Sequence, residues 1–511
     1  MIVTPYQSPL REGPYGFADL LRAEWTKFRT VRGWVIAVLA AALLIAVFAL
    51  LPTQQGSCNV SACTGPVGPG GEQVSDSVYF VHQPLGGNGS ITVRVTSLTG
   101  QIQRITNSGG MRAGLVPWAK AGIIITASTR QGSAYAAVMV TGSHGVRMQD
   151  DFTQDVAGLP GAVTAAAPRW LRLTRSGDTV TGYDSADGTH WTRVGTATLT
   201  GLPATAQVGL FATSPPYLQT SASEASISGG PSAATGVFDH VGLTWHGGAW
   251  VGLNVGGGND GLPAGTLGFS TGAGTFTVTG SGDIAPAVAG GAGIGVTITQ
   301  TLVGTFAGLI VLAVVGAMFI TAEYRRHLFG VTLMASPHRG RVLAAKAVVV
   351  GAVTFTAGLA GAAIAVVLGQ RVLRGNGAYV YPVSALTQVR VIVGTAAVLA
   401  VAAVIALAIG AILRRGVAAV AVVVVVIVLP YLFAVAAPVL PAGPTDWLLR
   451  LTPAAALAVQ QTLVQYPQVT NTYIPYYGYY PLPPWAGLAV LCAWAALALG
   501  LAVFLLRRRD A

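Results

Sequence analysis

The chain has 511 residues, of which 52% are hydrophobic and only 9% charged, against roughly a quarter charged in an ordinary soluble domain; this excludes a plain water-soluble globule and fits a membrane protein. Its formal charge of +11 would suit a nucleic-acid binder, yet 15 of the 29 lysines and arginines lie in short segments beside long apolar runs. Charge placed that way orients a chain in a bilayer and gives no reason to expect a nucleic-acid partner.

Residues 1–14 read as a loose tail. From there Phe17, Leu20, Leu21, Trp25 and Phe28 recur at the spacing of one helix face, with Arg22, Glu24, Lys27 and Arg29 on the rest. A basic amphipathic helix of this kind lies along an inner membrane surface, where Glu24, Trp25, Lys27 and Arg29 either snorkel toward lipid headgroups or meet a partner. The run 33–51 then supplies 19 uncharged residues, enough for a first crossing that leaves the amino terminus in the cytoplasm. Its length, and the long stretch before it, argue against a cleaved signal peptide.

Residues 53–293 change character, with turn-forming Gly, Ser, Thr, Asn and Pro between short alternating apolar runs. Strands are expected at 78–81, 90–97, 121–128, 134–141, 170–175, 179–183, 189–194 and 207–213, a spacing that suits a β-sandwich outside the cell. Asp184 to Gly188 read as a hairpin connection, with a calcium loop as the sharper alternative. Cys58 and Cys63 are close enough for a short-loop disulfide in an oxidising compartment, or remain free thiols. Residues 244–293 add Gly-rich β material with no assigned place in the sandwich.

Residues 294–320 and 347–368 carry no Asp, Glu, Lys or Arg, and each is long enough to span the membrane. The elbow between them holds Arg325, Arg326, Arg339, Arg341 and Lys346 against the single acid Glu323, so it is expected inside. Further crossings are expected at 391–413, at 417–439 with a kink at Pro430, and at 485–506, stopped by Arg507 to Arg509. Arg371, Arg374 and Arg390 occupy an outer loop and run counter to the inside rule. The apolar stretch 447–464 suits short helices dipping into the outer leaflet, and Tyr473, Tyr476, Tyr477, Tyr479 and Tyr480 suit an interfacial aromatic belt. Six crossings leave both termini cytoplasmic. The expected domains are therefore 1–52, 53–293 and 294–511, in a multi-pass plasma-membrane protein in contact with lipid.

A phosphate-cradling loop needs Gly-Lys-Ser or Gly-Lys-Thr, whereas the three lysines, Lys27, Lys120 and Lys346, follow Thr26, Ala119 and Ala345. The seven histidines include no i, i+4 pair, so no metal site is expected. Catalysis by this chain alone is not expected.

Two resemblances carry the reading further. The runs EQVSDSVYFVHQPLGGNGSITVRVTSLTG, WAKAGIIITAS, RWLRLTRSGDTVTGYDSADGTHWTRVG and ATGVFDHVGL resemble successive strands of laminin-G-like, concanavalin-type jelly-roll modules. That resemblance implies glycan contact by Trp118, Tyr135, Trp170, Tyr183 and Trp191; the competing reading is that these aromatics fill the core between two sheets. The runs LRAEWTKFRTVRGW, FITAEYRRHLFGVTLMASPHRGRVLAAK and PWAGLAVLCAWAALALGLAVFLLRRRDA resemble ABC-2 type permeases of ATP-driven exporters. The expected fold is thus membrane α-helical, with six transmembrane helices, plus an extracellular all-β jelly-roll sandwich.

The permease resemblance implies a homodimer or permease heterodimer docked on a separate ABC ATPase subunit, which would bind the ATP and Mg that this chain does not. It assigns ATPase coupling to Glu323, Tyr324, Arg325 and Arg326, with residues 330–339 as a short helix for the partner to grip. Glu323 is expected to pair with a basic residue of the lead-in helix or of the partner. The alternatives are a membrane-anchored glycan receptor or sensor, and a mechanotransmission component that passes ATP-driven motion to the outer domain.

Overall fold

The computed structural model describes residues 16–50, 65–103, 110–221, 226–245, 247–257, 261–290, 295–326, 338–435, 442–471 and 473–508. Two compact units emerge. A helical unit comprises Met1–Ser57, Val296–Leu463 and Ile474–Ala511, and a β unit comprises Cys58–Gly295 and Val464–Tyr473. Residues 464–473, which the sequence reading put in the helical domain, thus pack with the β unit.

In the helical unit, α1 (Phe17–Thr30) and α2 (Arg32–Phe48) meet at 79°. The extended backbone of Val31 makes the corner. α1 buries Glu24 and Phe28 and packs Leu21 against the core, while Phe17 and Trp25 are exposed. The buried stripe thus keeps Leu21 and Phe28 of the apolar face read from the sequence but takes in Glu24, neutralised inside, in place of Phe17 and Trp25. The remaining helices are α3 (Thr305–Arg325), α4 (Arg339–Gly375), α5 (Ala385–Leu413), α6 (Gly416–Val435, with Pro430 inside), α7 (Ala442–Leu451) and α8 (Pro484–Arg508).

Among the described residues, five helices are each long and apolar enough to cross a bilayer: Ile298–Arg325, which includes α3, and α4, α5, α6 and α8. The bent α1–α2 pair is a sixth candidate only if counted as one span. α5 is the central column, packed against α3, α4, α6 and α8. Its turns after Thr395 are apolar all round, which suits the most deeply buried of the candidate spans. A Cβ on Gly316 would stand 2.3 Å from the carbonyl oxygen of Ala403, so α3 and α5 meet almost backbone to backbone. On the outside, Ile36, Leu39 and Leu43 of α2 and Leu497, Leu501 and Phe504 of α8 form exposed apolar stripes, the inverse of a water-soluble bundle.

The apolar connection before α8 does not read as a free interfacial segment. Its 3-10 turn Pro453–Gln460 is buried throughout, with Gln460 donating to Thr395 of α5 at 3.1 Å. Arg390 bonds the carbonyl of Gln461, which gives that outlying arginine a structural partner. Nor do the tyrosines form one belt: Tyr479 is buried, and Tyr473 belongs to the β unit, its hydroxyl donating to the carbonyls of Tyr466 and Val469.

The strands of the β unit, in chain order, are β1 (Val74–Asp76), β2 (Val78–Gly86), β3 (Gly89–Gln103), β4 (Met111–Ala113), β5 (Lys120–Thr126), β6 (Tyr135–Thr141), β7 (Val146–Asp150), β8 (Gln154–Ala157), β9 (Arg169–Ser176), β10 (Thr179–Ser185), β11 (Thr192–Thr198), β12 (Thr205–Thr213), β13 (Tyr217–Ser221), β14 (Ser226–Gly230), β15 (Ser232–Leu243), β16 (Val251–Val255), β17 (Gly268–Gly272), β18 (Thr275–Gly280) and β19 (Ile284–Pro286). One sheet runs β16-β2-β12-β5-β6-β7-β8, and the other β11-β10-β9-β3-β15-β18-β17 with β4 on the end of β3. They form a sandwich whose shared core includes Ile91, Val93 and Leu173 from one sheet and Ile123, Val138 and Leu210 from the other. The Gly-rich stretch after Thr244, left unassigned from sequence, supplies edge strand β16 to the first sheet and β17 and β18 to the second.

The outer face of the first sheet is also covered, which is why β5 and β6 are buried at every residue. Val74, Phe80, Ile124, Tyr135, Phe152, Phe211 and Ile284 make a second cluster there, under the β1–β19 pair. The Lys120 ammonium, fully buried, donates to Asp283 at 2.6 Å and to the Ile284 carbonyl at 2.7 Å, fastening β19 across the sheet. The segment 464–473 adds to this unit through Asn471 to the Ala289 carbonyl at 2.8 Å.

At the end of β1, burial pushes the Asp76 carboxyl up to about 6, against the lowering pull of the Gly132 amide that it accepts at 2.8 Å. Asp150 is likewise pushed up to about 6 by burial and then by the charge of Asp151. Both carboxyls hold protons more tightly folded than unfolded. Their contribution to stability is therefore complete below the ordinary carboxylate pKa, near 4, and is lost as pH rises through about 6. Exchange protection of the β1–β19 ladder, measured by hydrogen-exchange mass spectrometry on the full chain, is expected to fall between pH 5 and 7.5. Asp76→Asn, which retains the acceptor to Gly132, should flatten that fall; an unchanged pH dependence would disprove the assignment to Asp76.

Candidate functional site

The densest chemistry of the helical unit lies where α1, the end of α3 and the first turns of α4 meet. Lys346 of α4 is fully buried, and its ammonium donates to Glu24 of α1 at 2.8 Å and to Glu323 of α3 at 2.7 Å. Lys27 of α1 completes the ring, donating to Glu24 at 2.9 Å and to Glu323 at 3.1 Å. The four groups sum to zero charge. Burial works against the ammonium of Lys27, but the bonds and charges of Glu24 and Glu323 outweigh it and raise its pKa above the ordinary lysine value.

The local sequence explains why the ring closes. Glu24 and Lys27 are one turn apart and so share a helix face. Glu323 sits one turn after Phe319, whose ring lies 4.8 Å from the Lys346 ammonium. Phe28, Trp34 and Phe319 pack together, with ring centroids 4.7 to 5.8 Å apart, and keep water from one side of the ring of charges. On the other side a groove of about 440 Å³, lined by Lys27, Trp34, Glu323, Arg325 and Arg326 among others, opens beside it. One oxygen of Glu323, Oε2, is buried with no hydrogen-bond partner among the described residues. Buried carboxylates normally fill their lone pairs, so this oxygen is a spare acceptor.

Around the ring, Arg325 and Arg326 are exposed at the end of α3, and Tyr324 carries the Arg414 guanidinium 5.2 Å from its ring centre. Trp25 and Arg29 point outward from α1. The structure thus brings together Glu24, Lys27 and Glu323 from the residues singled out by sequence, and leaves Trp25, Arg29, Arg325 and Arg326 outside the ring. Sequence reading missed Lys346 as its hub. The signal was present: in LAAKAVVV the lysine has apolar neighbours one helical turn away on both sides, and a lysine so placed needs a carboxylate. Residues 327–337, with most of the expected gripping helix, and Cys58 and Cys63, with their disulfide, lie outside the described residues.

In the β unit the five aromatics proposed for glycan contact separate into two sets. Trp118 and Tyr135 are buried, the first stacked on His144 and under Arg147, the second edge-on to Phe152. Neither can serve as a platform: the cluster under the β1–β19 pair encloses Tyr135, and the His144 ring and Arg147 cover Trp118. Trp170, Tyr183 and Trp191 are half-buried and share the outer face of the other sheet. There Arg172 lies 3.9 Å from the Trp191 ring centre and Arg94 lies 5.7 Å from that of Trp170, while Arg94 also forks onto Asp239. The connection after Asp184 is a hairpin. Ser185 accepts the amides of Asp187 and Gly188, Asp187 accepts those of Thr189 and His190, and Gly188 takes a φ of +79° beneath Trp170.

No group of three or more metal-ligating side chains converges among the described residues. The string Gly268-Phe269-Ser270-Thr271-Gly272 has the spelling of a hydrolase nucleophile elbow. It forms edge strand β17, hairpinned to β18 rather than turning into a helix, so it lacks the required geometry.

No protein-family model matches the chain, and no curated protein matches it. Among solved structures, a functionally unknown protein from Saccharomyces cerevisiae aligns at 18% identity over 34% of this chain and 77% of its own, with a TM-score of 0.22. The GH43 protein BlXynB from Bacillus licheniformis aligns at 16% identity over 24% of each chain, TM-score 0.18. A scytalido-glutamic peptidase bound to a transition state analog inhibitor aligns at 10% identity over 40% of this chain and 98% of its own, TM-score 0.25. Likeness at this level says nothing about activity.

The ring gives a direct test. Lys346→Met leaves two buried carboxylates sharing one lysine and should cost about 3–5 kcal/mol of stability, read as a lowered melting temperature in detergent. Adding Glu24→Gln to Lys346→Met restores neutrality and should recover a large part of the loss. Equal melting temperatures for wild type and Lys346→Met would refute the ring's structural role.

Proposed function

We propose that this chain is the membrane-spanning permease subunit of an ABC-2 type transporter, an exporter driven by a separate ATPase subunit that carries the ATP and Mg. The observation that carries the reading is the Glu24, Lys27, Glu323 and Lys346 ring. It ties the amphipathic α1 to both helices that flank the charged elbow. A partner without membrane spans has to deliver its stroke through rigid contacts, and coupling requires an element that both partners bias. With α1 fixed to α3 and α4, a push on the elbow moves the lead-in helix and two crossings together.

In this reading α2, α3, α4, α5, α6 and α8 make six crossings, both termini are cytoplasmic, and the β unit is extracellular. Arg325, Arg326, Arg339 and Arg341 at the elbow support that orientation. The exposed apolar stripes on α2 and α8 then face lipid or a second permease. Coexpressed with a candidate ABC ATPase subunit from its own genome, the chain should copurify in detergent, and Arg325→Ala with Arg326→Ala should reduce ATPase stimulation severalfold while the complex still spans the membrane. Failure to copurify, or labelling of His338 from outside intact cells, would reject the proposal.

A second reading is favoured by the half-exposed Trp170, Tyr183 and Trp191 beside Arg94 and Arg172. Such a face suits a sugar ring stacked between aromatics, so the β unit acts as a glycan receptor. Reconstituted full chain should bind on a glycan array, and Trp170→Ala with Trp191→Ala should abolish the signal; no binding by wild type would dismiss it.

A further inference from the structure

A second cavity in the helical unit, of about 780 Å³, lies between α3 and α6 and has an uneven lining. Arg325, Arg414 and Arg415 gather at one end, and Val314, Met318, Val417, Val420 and Ala421 form the wall. Among the described residues no acidic side chain lines it, and the nearest carboxylate in sequence, Glu323, is engaged by two lysines. Segment 327–337, which links α3 to α4, contains no Asp or Glu to supply one.

The arginines are held there by the fold. Arg414 adopts a left-handed φ of +55° as the cap between α5 and α6, its amide donating to the Gly410 carbonyl at 2.9 Å. A non-glycine residue takes that conformation at a cost. It turns the side chain onto Tyr324, where Nε is buried with no hydrogen-bond partner among the described residues. Arg415 and Arg325 are exposed beside it. The amino end of α6, whose dipole favours a negative charge, begins at Gly416 in the same lining.

We infer that this cavity binds an anionic phospholipid, with the phosphate on Arg325, Arg414 and Arg415 and an acyl chain along the Val314, Met318 and Val420 wall. The volume suits part of a lipid rather than a lone ion. Basic pockets between helices on the cytoplasmic side recognise such headgroups by the same chemistry. The inference rests on the membrane reading above but not on the ATPase partnership.

The test uses delipidated full chain in detergent, titrated with fluorescent-tailed phosphatidylglycerol, with phosphatidylcholine and with inorganic phosphate. Phosphatidylglycerol should bind saturably and phosphatidylcholine at least about tenfold more weakly. Arg414→Gln with Arg415→Gln should weaken phosphatidylglycerol about tenfold or more, and Arg415→Glu, at an exposed position that leaves the fold intact, should act in the same direction. Arg507→Gln with Arg508→Gln, an equal charge loss on α8, should change it less than about twofold. Val420→Trp, which fills the wall, should weaken the lipid and leave phosphate binding alone.

Unchanged lipid affinity in the Arg414 and Arg415 variants overturns the site. Full competition by inorganic phosphate, with Val420→Trp silent, assigns it to free phosphate and overturns the lipid. Loss of a dimer on Val420→Trp with no loss of lipid assigns the groove to a second copy and likewise overturns it. Fractionation before extraction separates this from the membrane reading, because a chain recovered without detergent defeats that reading whatever the lipid titration gives.

Discussion

Two carboxylates and the Lys346 ammonium removed from water, with the half-exposed Lys27 at their rim, together fix the helical unit. Burying any one of them alone would cost several kcal/mol, so their mutual satisfaction decides where α1 can lie. This reverses the usual logic of an amphipathic helix. α1 is held only in part by its apolar face, through Leu21 and Phe28, since Phe17 and Trp25 face outward; the rest of its hold is an acid and a lysine that find opposite charges on α3 and α4. Phe28, Trp34 and Phe319 then exclude water and strengthen those attractions. Any motion that separated α1 from α4 would have to hydrate all four charges, so these elements have strong reason to move as a block.

The β unit solves a similar problem with the same residue type. The chain has only three lysines, and each is ion-paired: Lys27 and Lys346 in the ring, Lys120 to Asp283 under β19. Arginine instead makes the forked carboxylate pairs and aromatic stacks, as Arg94 does with Asp239 and Trp170, where its planar group is the better choice. Lys120 matters because it closes a sheet face that a two-layer sandwich would leave open. With that face covered by the chain itself, only the opposite sheet keeps aromatics within reach of solvent.

Much of this was legible from residues alone, and what was not had local causes. The long helices follow from apolar runs that no tertiary contact could rewrite, and the hairpin after Asp184 follows from Asp and Gly at turn positions. The partner of Lys346 was not legible, because Glu24 lies 322 residues away along the chain and pairing at that distance leaves no periodic trace. Trp118 and Tyr135 looked no different from Trp170 and Trp191, since alternation tells which residues share a face but not whether a face is covered twice. The Gly-rich stretch after Thr244 escaped assignment because its edge strands, β16 and β17, expose much of their length and so show weak alternation.

Residues 464–473 belong to the β unit although the chain on both sides of them belongs to the helical one. The sandwich is consequently not a bead strung on two linkers. Excising residues 58–295 would strand a ten-residue strap stripped of its receptors, among them the Ala289 carbonyl that Asn471 caps and the Thr153 carbonyl that Gln468 reaches. Transplanting the sandwich alone would leave the matching vacancy on its own surface. A self-sufficient version of the β unit therefore has to carry residues 464–473 along with 58–295.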